Sequence, residues 1–157
     1  MTVKIRRAVL TDGPQLPALF EDALRLIASR FYSREQIDAW ASRAARFRHV
    51  FETDFKARTA WVAEVETGRL LAYLDLEGGE HIDFFYARPE VTRTNITRNM
   101  YAALEAAARK EGVKRLTTEA SEAAFRFFSK KGFIRTSKND VIIDGVSIHN
   151  YSMAKDL

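Results

Sequence analysis

The chain has no cysteine. Disulfides, thiolate nucleophiles and cysteine metal sites are excluded with it, and the composition suits a reducing compartment, so a cytoplasmic protein is expected. Proline and glycine are scarce, at three and seven residues in 157, and no low-complexity tract occurs, which argues against disorder. No apolar run approaches the ~18 residues of a membrane span. Residues 1–7 hold no apolar stretch of signal-peptide length either, so no membrane partner is expected. His49, His81 and His149 stand apart from one another and lack the spaced partners that a metal site requires, so no metal is expected.

What is present is enough for a core. Hydrophobic residues make up 46% and charged residues 29%, which suits one domain spanning residues 1–157. Lysine and arginine (25) outnumber aspartate and glutamate (21) for a net charge of +4. That sign favours polyanionic partners: nucleic acid, anionic lipid or a phosphorylated cofactor. The basic residues are spread along the chain without a concentrated stripe or a nucleic-acid-binding motif, so no nucleic-acid partner is expected.

Residues 3–8 alternate as a short strand. Thr11-Asp12-Gly13-Pro14 forms a cap and turn before a helix carrying Leu16, Leu19, Phe20, Ala23, Leu24 and Ile27 at helical spacing. Ser33 and Gln36 have capping-box separation and open a second helix through Ile37, Trp40, Ala41 and Ala44, followed by a short amphipathic stretch at 47–55. Strands at 59–65, 70–76 and 81–87 are separated by Thr67-Gly68 and Gly78-Gly79, as hairpins would be. After Pro89 the period turns helical through Ile96, Met100, Ala103, Leu104 and Ala107 until Gly112. A strand at 115–119, a helix from Ser121 to Gly132 and an extended piece at 133–137 come next. Two short strands, 141–143 and 146–148, then flank the hairpin signal Asp144-Gly145. Hairpins followed by β-α-β-α units give an α/β fold, a mixed sheet with helices on both faces.

Four segments carry a resemblance. They are His81-Ile82-Asp83-Phe84-Phe85-Tyr86-Ala87-Arg88-Pro89, the helix over 95–112, Leu116-Thr117-Thr118-Glu119-Ala120-Ser121, and Ala124-Phe125-Arg126-Phe127-Phe128-Ser129-Lys130-Lys131-Gly132-Phe133. In this order and spacing the chain resembles the GNAT superfamily of acyl-CoA-dependent N-acyltransferases over nearly its whole length. Tyr32-Ser33-x-Glu35-Gln36-Ile37-x-Ala39-Trp40-Ala41 also resembles a bacterial subgroup of that family. The resemblance implies a single GNAT-like domain with a mostly antiparallel sheet in which two parallel strands splay apart. It also implies acetyl-CoA as co-substrate and a small-molecule or peptide amine as acceptor. The pantetheine arm would pair with the backbone at Phe85, Tyr86 and Ala87, and the pyrophosphate would sit on N–H groups at the start of the following helix. Arg93, Thr94, Asn95, Ile96, Thr97, Arg98, Ser121 and Phe128 complete the implied cofactor-binding set.

The loop departs from the family pattern. Where the family carries Gln or Arg, then Gly, then Gly or Ala, this chain has Thr92, Asn95 and Thr97. Asn95 is the replacement that best tolerates a positive φ, whereas Thr97 is costly there and cheap in an ordinary helical turn. Either Arg93, Arg98 and the Thr94 and Thr97 hydroxyls bind the phosphates directly, or CoA binding is weakened and the fold serves as a binding or regulatory module.

Direct amine acylation needs a base, an oxyanion donor and an acid for the leaving thiolate. Phe128 stands where the family often has a tyrosine acid, so that role is absent. Asp83, between Ile82 and Phe84, is either a buried base of raised pKa or a strand aspartate satisfied by its neighbours. Glu119 ends its strand at the mouth of the implied splay, as base, as cation contact or as a helix-start carboxylate. Tyr86 is the third catalytic candidate, set against a plain core role. The strand pair within 141–153 is a candidate for pairing across a homodimer.

Overall fold

The computed structural model describes residues 2–157. Its strands are β1 (Val3–Arg7), β2 (Arg58–Val65), β3 (Leu70–Glu77), β4 (His81–Ala87), β5 (Arg115–Ala120), β6 (Ile134–Ile143) and β7 (Val146–Asp156). They form one sheet in the order β1-β2-β3-β4-β5-β7-β6, antiparallel throughout except for the β4–β5 pair. Asp144 and Gly145 take φ of 50° and 78° in the β6–β7 turn, the left-handed pair that a two-residue hairpin needs.

Helices cover both faces. On α1 (Leu16–Leu26), the stripe of Leu16, Leu19, Phe20, Ala23 and Leu24 is buried together with Phe47 and Phe51 of α3 (Ala44–Thr53). Ile37 of α2 (Arg34–Ala41) joins this cluster, which rests on Val62 and Tyr73. The other face holds α4 (Asn95–Lys110) and α5 (Glu122–Lys130), whose Met100, Leu104 and Phe128 pack on Leu71, Leu74 and Leu116. Lying between the two layers, β3 is buried from Leu70 to Leu76. No helix among the described residues is long and apolar enough to cross a membrane.

Two elements differ from the sequence reading. The second helix stops at Ala41, where the Ser42 hydroxyl donates to the Ala39 carbonyl and the Arg43 N–H to that of Trp40; a separate helix, α3, then begins at Ala44. The pieces at 133–137 and 141–143 belong to one strand, β6. Its polar middle, Ser137 to Asp140, is hydrogen-bonded to β7 at a solvent-exposed edge, so polarity there marks an edge strand and not a break.

The first strand is tied down by charge. Arg6 donates to both Asp12 oxygens at 2.9 and 2.8 Å and lies 3.0 Å from Glu64. Burial alone would raise the Asp12 carboxyl, but Arg6 and the Val9 N–H outweigh it and hold it below its ordinary 3.8; Arg6 likewise holds Glu64 below 4.5. Depressed folded-state values mean that this stabilisation is complete above the ordinary values and is lost as pH falls through the lower, folded ones. The acid limb of the stability curve, followed by urea unfolding from about pH 6 to about pH 3, is therefore expected to be shallower in Asp12→Asn.

Candidate functional site

The sheet opens between β4 and β5. These parallel strands pair only at His81↔Thr117 and Ile82↔Thr118, and the Thr118 hydroxyl closes the last step by donating to the Ile82 carbonyl at 2.9 Å. Beyond it they part, leaving Asp83 to Ala87 without a strand partner on that side among the described residues. The Phe84 and Arg88 N–H groups both point back toward β3, to Asp75 and to the Leu71 carbonyl. Strand alternation therefore turns the N–H groups of Phe85 and Ala87 into the opening.

A bulge sets this fork. Between the pairs Leu74↔Phe85 and Leu76↔Ile82, β4 contributes Asp83 and Phe84 where β3 contributes Asp75 alone. The Asp75 side chain replaces the missing ladder bond: its Oδ1 accepts from the Phe84 N–H at 2.9 Å. Its Oδ2 accepts from the Tyr73 hydroxyl at 2.8 Å and from Arg58 Nη1 at 2.9 Å. Arg58 Nη1 also lies 2.8 Å from Asp83, and Nη2 donates to Glu77. Burial pushes the Asp75 carboxyl upward, opposed by the Phe84 N–H and the Arg58 guanidinium.

Of the two readings of Asp83, the structure favours the strand aspartate satisfied by its neighbours. Its side chain is 30% exposed and paired with Arg58; the fully buried carboxylate is Asp75, at 0%. Sequence reasoning missed both Asp75 and Arg58. The available signal was an acid inside the otherwise apolar run from Leu70 to Leu76.

Across the base of the fork, Glu119 Oε2 lies 2.7 Å from His81 Nε2, and the other imidazole nitrogen, Nδ1, is 2.7 Å from the Thr117 hydroxyl. Glu119 is 49% exposed, so this carboxylate–imidazole–hydroxyl chain meets solvent where the strands separate. The sequence reading set His81 aside for want of spaced metal partners; the partners it has are 36 and 38 residues away, joined to it by the parallel pairing. Ser121 caps α5, its hydroxyl accepting from the Ala124 N–H at 3.2 Å. Phe128 is sealed in the core against Phe85 and Phe133, at 1% exposure, and gives a ligand no surface.

In the loop before α4, the positions where the family carries glycine have ordinary helical backbone. The loop's left-handed residue is Arg93, with φ 59°; Asn95 and Thr97 are helical, so neither position demands glycine. The Thr97 side chain is buried. The hydroxyls expected to reach phosphate are occupied: that of Thr94 donates to the Val91 carbonyl and accepts from the Ile96 N–H, and that of Thr97 donates to the Thr94 carbonyl. Arg93 and Arg98 remain exposed, without an ion pair among the described residues. Lys131 adds charge that sequence reasoning overlooked. Its Nζ lies 5.9 Å from the centre of the Tyr101 ring on α4 and 5.5 Å from that of Phe127 on α5, and burial, followed by Arg98 and Lys155, lowers its pKa.

On the opposite face a cleft of about 330 Å³ opens beside Phe84 and Tyr86. Its walls are Phe20, Trp40 and Phe47, with Arg43 and Arg46 at the α2–α3 junction and residues 141–143 of β6 along the side. Burial, reinforced by the charge of Asp83, raises the Tyr86 hydroxyl well above its ordinary range, so it stays protonated.

Comparison with known proteins agrees with this geometry. The model of the Acetyltransferase (GNAT) domain matches residues 28–155. Over 155 residues the chain is 30% identical to the uncharacterized N-acetyltransferase YafP of Escherichia coli (strain K12), covering 96% of this chain and 94% of that one. A GCN5-related N-acetyltransferase from Rhodopseudomonas palustris superposes with a TM-score of 0.88 at 29% identity, over 100% of this chain and 97% of its own. The fold also matches the PaiA N-acetyltransferase of Thermoplasma acidophilum, solved in complex with coenzyme A. Here the TM-score is 0.76 at 19% identity, with 100% of each chain covered.

Proposed function

Because the chain belongs to the GNAT family of N-acetyltransferases, we propose that it transfers an acyl group from acyl-CoA directly to the amine of a small molecule or peptide. The observation that carries this is the fork. Its unpaired β4 backbone meets the α4 N-terminus and a cationic cluster on one side of the sheet and an aromatic cleft on the other. Acyl-CoA, when bound, supplies an activated thioester carbonyl. Arg93, Arg98 and Lys131 hold its phosphates together with the N–H groups at the start of α4 that the Thr94 cap leaves free. The Phe85 and Ala87 backbone groups orient the pantetheine arm as an added strand.

The acceptor amine enters as an ammonium and must lose a proton before its lone pair can form the new C–N bond. His81 takes that proton on Nδ1 through the Thr117 hydroxyl that bonds to it, while Glu119 holds Nε2–H and balances the charge. Tyr86, kept protonated, orients the acceptor from the cleft wall. The C–S bond breaks as C–N forms, and the second proton that the nitrogen loses passes through water to the thiolate, since Phe128 has none to give.

Thermal unfolding tests the reading. Acetyl-CoA or CoA at ~1,000 times its dissociation constant is expected to stabilise the fold by about 4 kcal/mol, several degrees in Tm. Adenosine diphosphate serves as the phosphate control and Arg93→Gln/Arg98→Gln as the variant that loses most of the shift. No shift at millimolar CoA would overturn the assignment.

A further inference from the structure

The cleft beside Tyr86 has one-sided chemistry. Trp40, Phe47, Phe84 and Tyr86 provide apolar and aromatic walls, Arg43 and Arg46 provide two cations, and no acidic residue lines it. Arg46 has neither an ion pair nor a side-chain hydrogen bond among the described residues. Arg43 has only a loose partner, Asp144 Oδ1 at 3.7 Å, itself 60% exposed. Arg43, Arg46 and Phe47 share one helical face through their i, i+3 and i+4 spacing, so the cations flank the aromatic floor. The volume, about 330 Å³, is at the lower end of the range for small-ligand pockets.

We propose that this cleft selects an acceptor amine carrying a carboxylate on an aromatic or large apolar body, with the carboxylate on Arg43 and Arg46. The inference rests on the acyltransferase reading, because it names the acceptor of that reaction. Guanidinium groups present paired N–H donors that match a carboxylate, and an aromatic surround strengthens the pairing by excluding water. The same two charges repel a polyamine or a lysine-rich peptide, which would leave like charges facing one another. An amine attached to such a body stands on the sheet face that carries His81, with Phe84 and Tyr86 between the cleft and the fork.

Trp40 makes the test independent of turnover, because its indole fluorescence reports occupancy of the cleft whether or not transfer follows. The probes are phenylalanine, phenylalaninamide, phenethylamine and spermidine, each followed by tryptophan fluorescence and, with acetyl-CoA, by release of the CoA thiol. Phenylalanine is expected to bind at least tenfold more tightly than its amide or the decarboxylated amine, with spermidine weakest. Arg43→Gln and Arg46→Gln are each expected to erase most of that preference while leaving phenylalaninamide binding and Tm unchanged. Equal binding of acid and amide, an undiminished preference in both variants, or no response to any probe at millimolar concentration would overturn the inference. Thiol release with phenethylamine as fast as with phenylalanine would sink the carboxylate requirement and leave the acyltransferase reading standing. Acid-selective fluorescence without thiol release from any probe would do the reverse.

Discussion

Replacing Arg58 by alanine is expected to destabilise the protein by about 3–5 kcal/mol, because the change strands a carboxylate in the core. Asp75 has no exposed surface and Arg58 has 2%, so water cannot replace the lost guanidinium. Arg58 also meets Asp83 and Glu77 and lies 5.1 Å from the centre of the Phe84 ring, so the change removes its packing as well. Its Nε is buried without a partner, so the guanidinium is under-satisfied even in the native fold, and the ion pair adds less net stability than its geometry suggests. A paired replacement of similar volume, Arg58→Met with Asp75→Leu, is expected to cost far less than Arg58→Ala alone. Urea unfolding of the three proteins decides the matter. A loss below about 1 kcal/mol in Arg58→Ala would show that Asp75 is readily neutralised by protonation.

The double variant has a further use. It removes the carboxylate that accepts the Phe84 N–H, so the bulge loses its side-chain bond even if the core remains filled. Acyl transfer in this variant should fall more than stability does. Full activity in the double variant would mean that the fork is held open by the closing Thr118–Ile82 step alone.

His81→Ala is expected to lower kcat by about 10²- to 10⁴-fold, the range of a positioned general base. Thermal stabilisation by CoA should survive, because His81 is on the base of the fork and not among the cationic groups near α4. Glu119→Gln keeps one hydrogen bond to the imidazole and loses its charge, so a smaller fall is expected. In both variants the acid limb of the pH–rate profile, which reports protonation of the base, should flatten. A purely structural role would instead reduce Tm and kcat together and leave the profile unmoved. Unchanged kcat in His81→Ala would return the role of base to Asp83 or to bound water.

How far the sequence reaches is clear from particular residues. Ser33 and Gln36 act as the capping box that their spacing indicates, and Asp144-Gly145 makes the hairpin turn. The apolar stripes of α1 and α4 become the two core layers. These are local relations, over at most four residues, which backbone geometry imposes wherever the chain goes. The resemblance to one acyltransferase family, spread over most of the chain, was legible for the same reason: it rests on the order of such elements.

The chemistry of the site was decided elsewhere. Asp75 and Arg58, 17 residues apart, meet only because β2 and β3 pair in one register. His81 and Glu119 meet only because β4 and β5 run parallel across an intervening helix. In the loop before α4, Asn95 and Thr97 stand where the family has glycine, which raised the cost of a positive φ there. The structure moves the left-handed turn to Arg93 and buries Thr97. A residue's type sets what it can do, but its partner, its exposure and its φ come from strand register and packing, over distances in sequence that no local pattern spans.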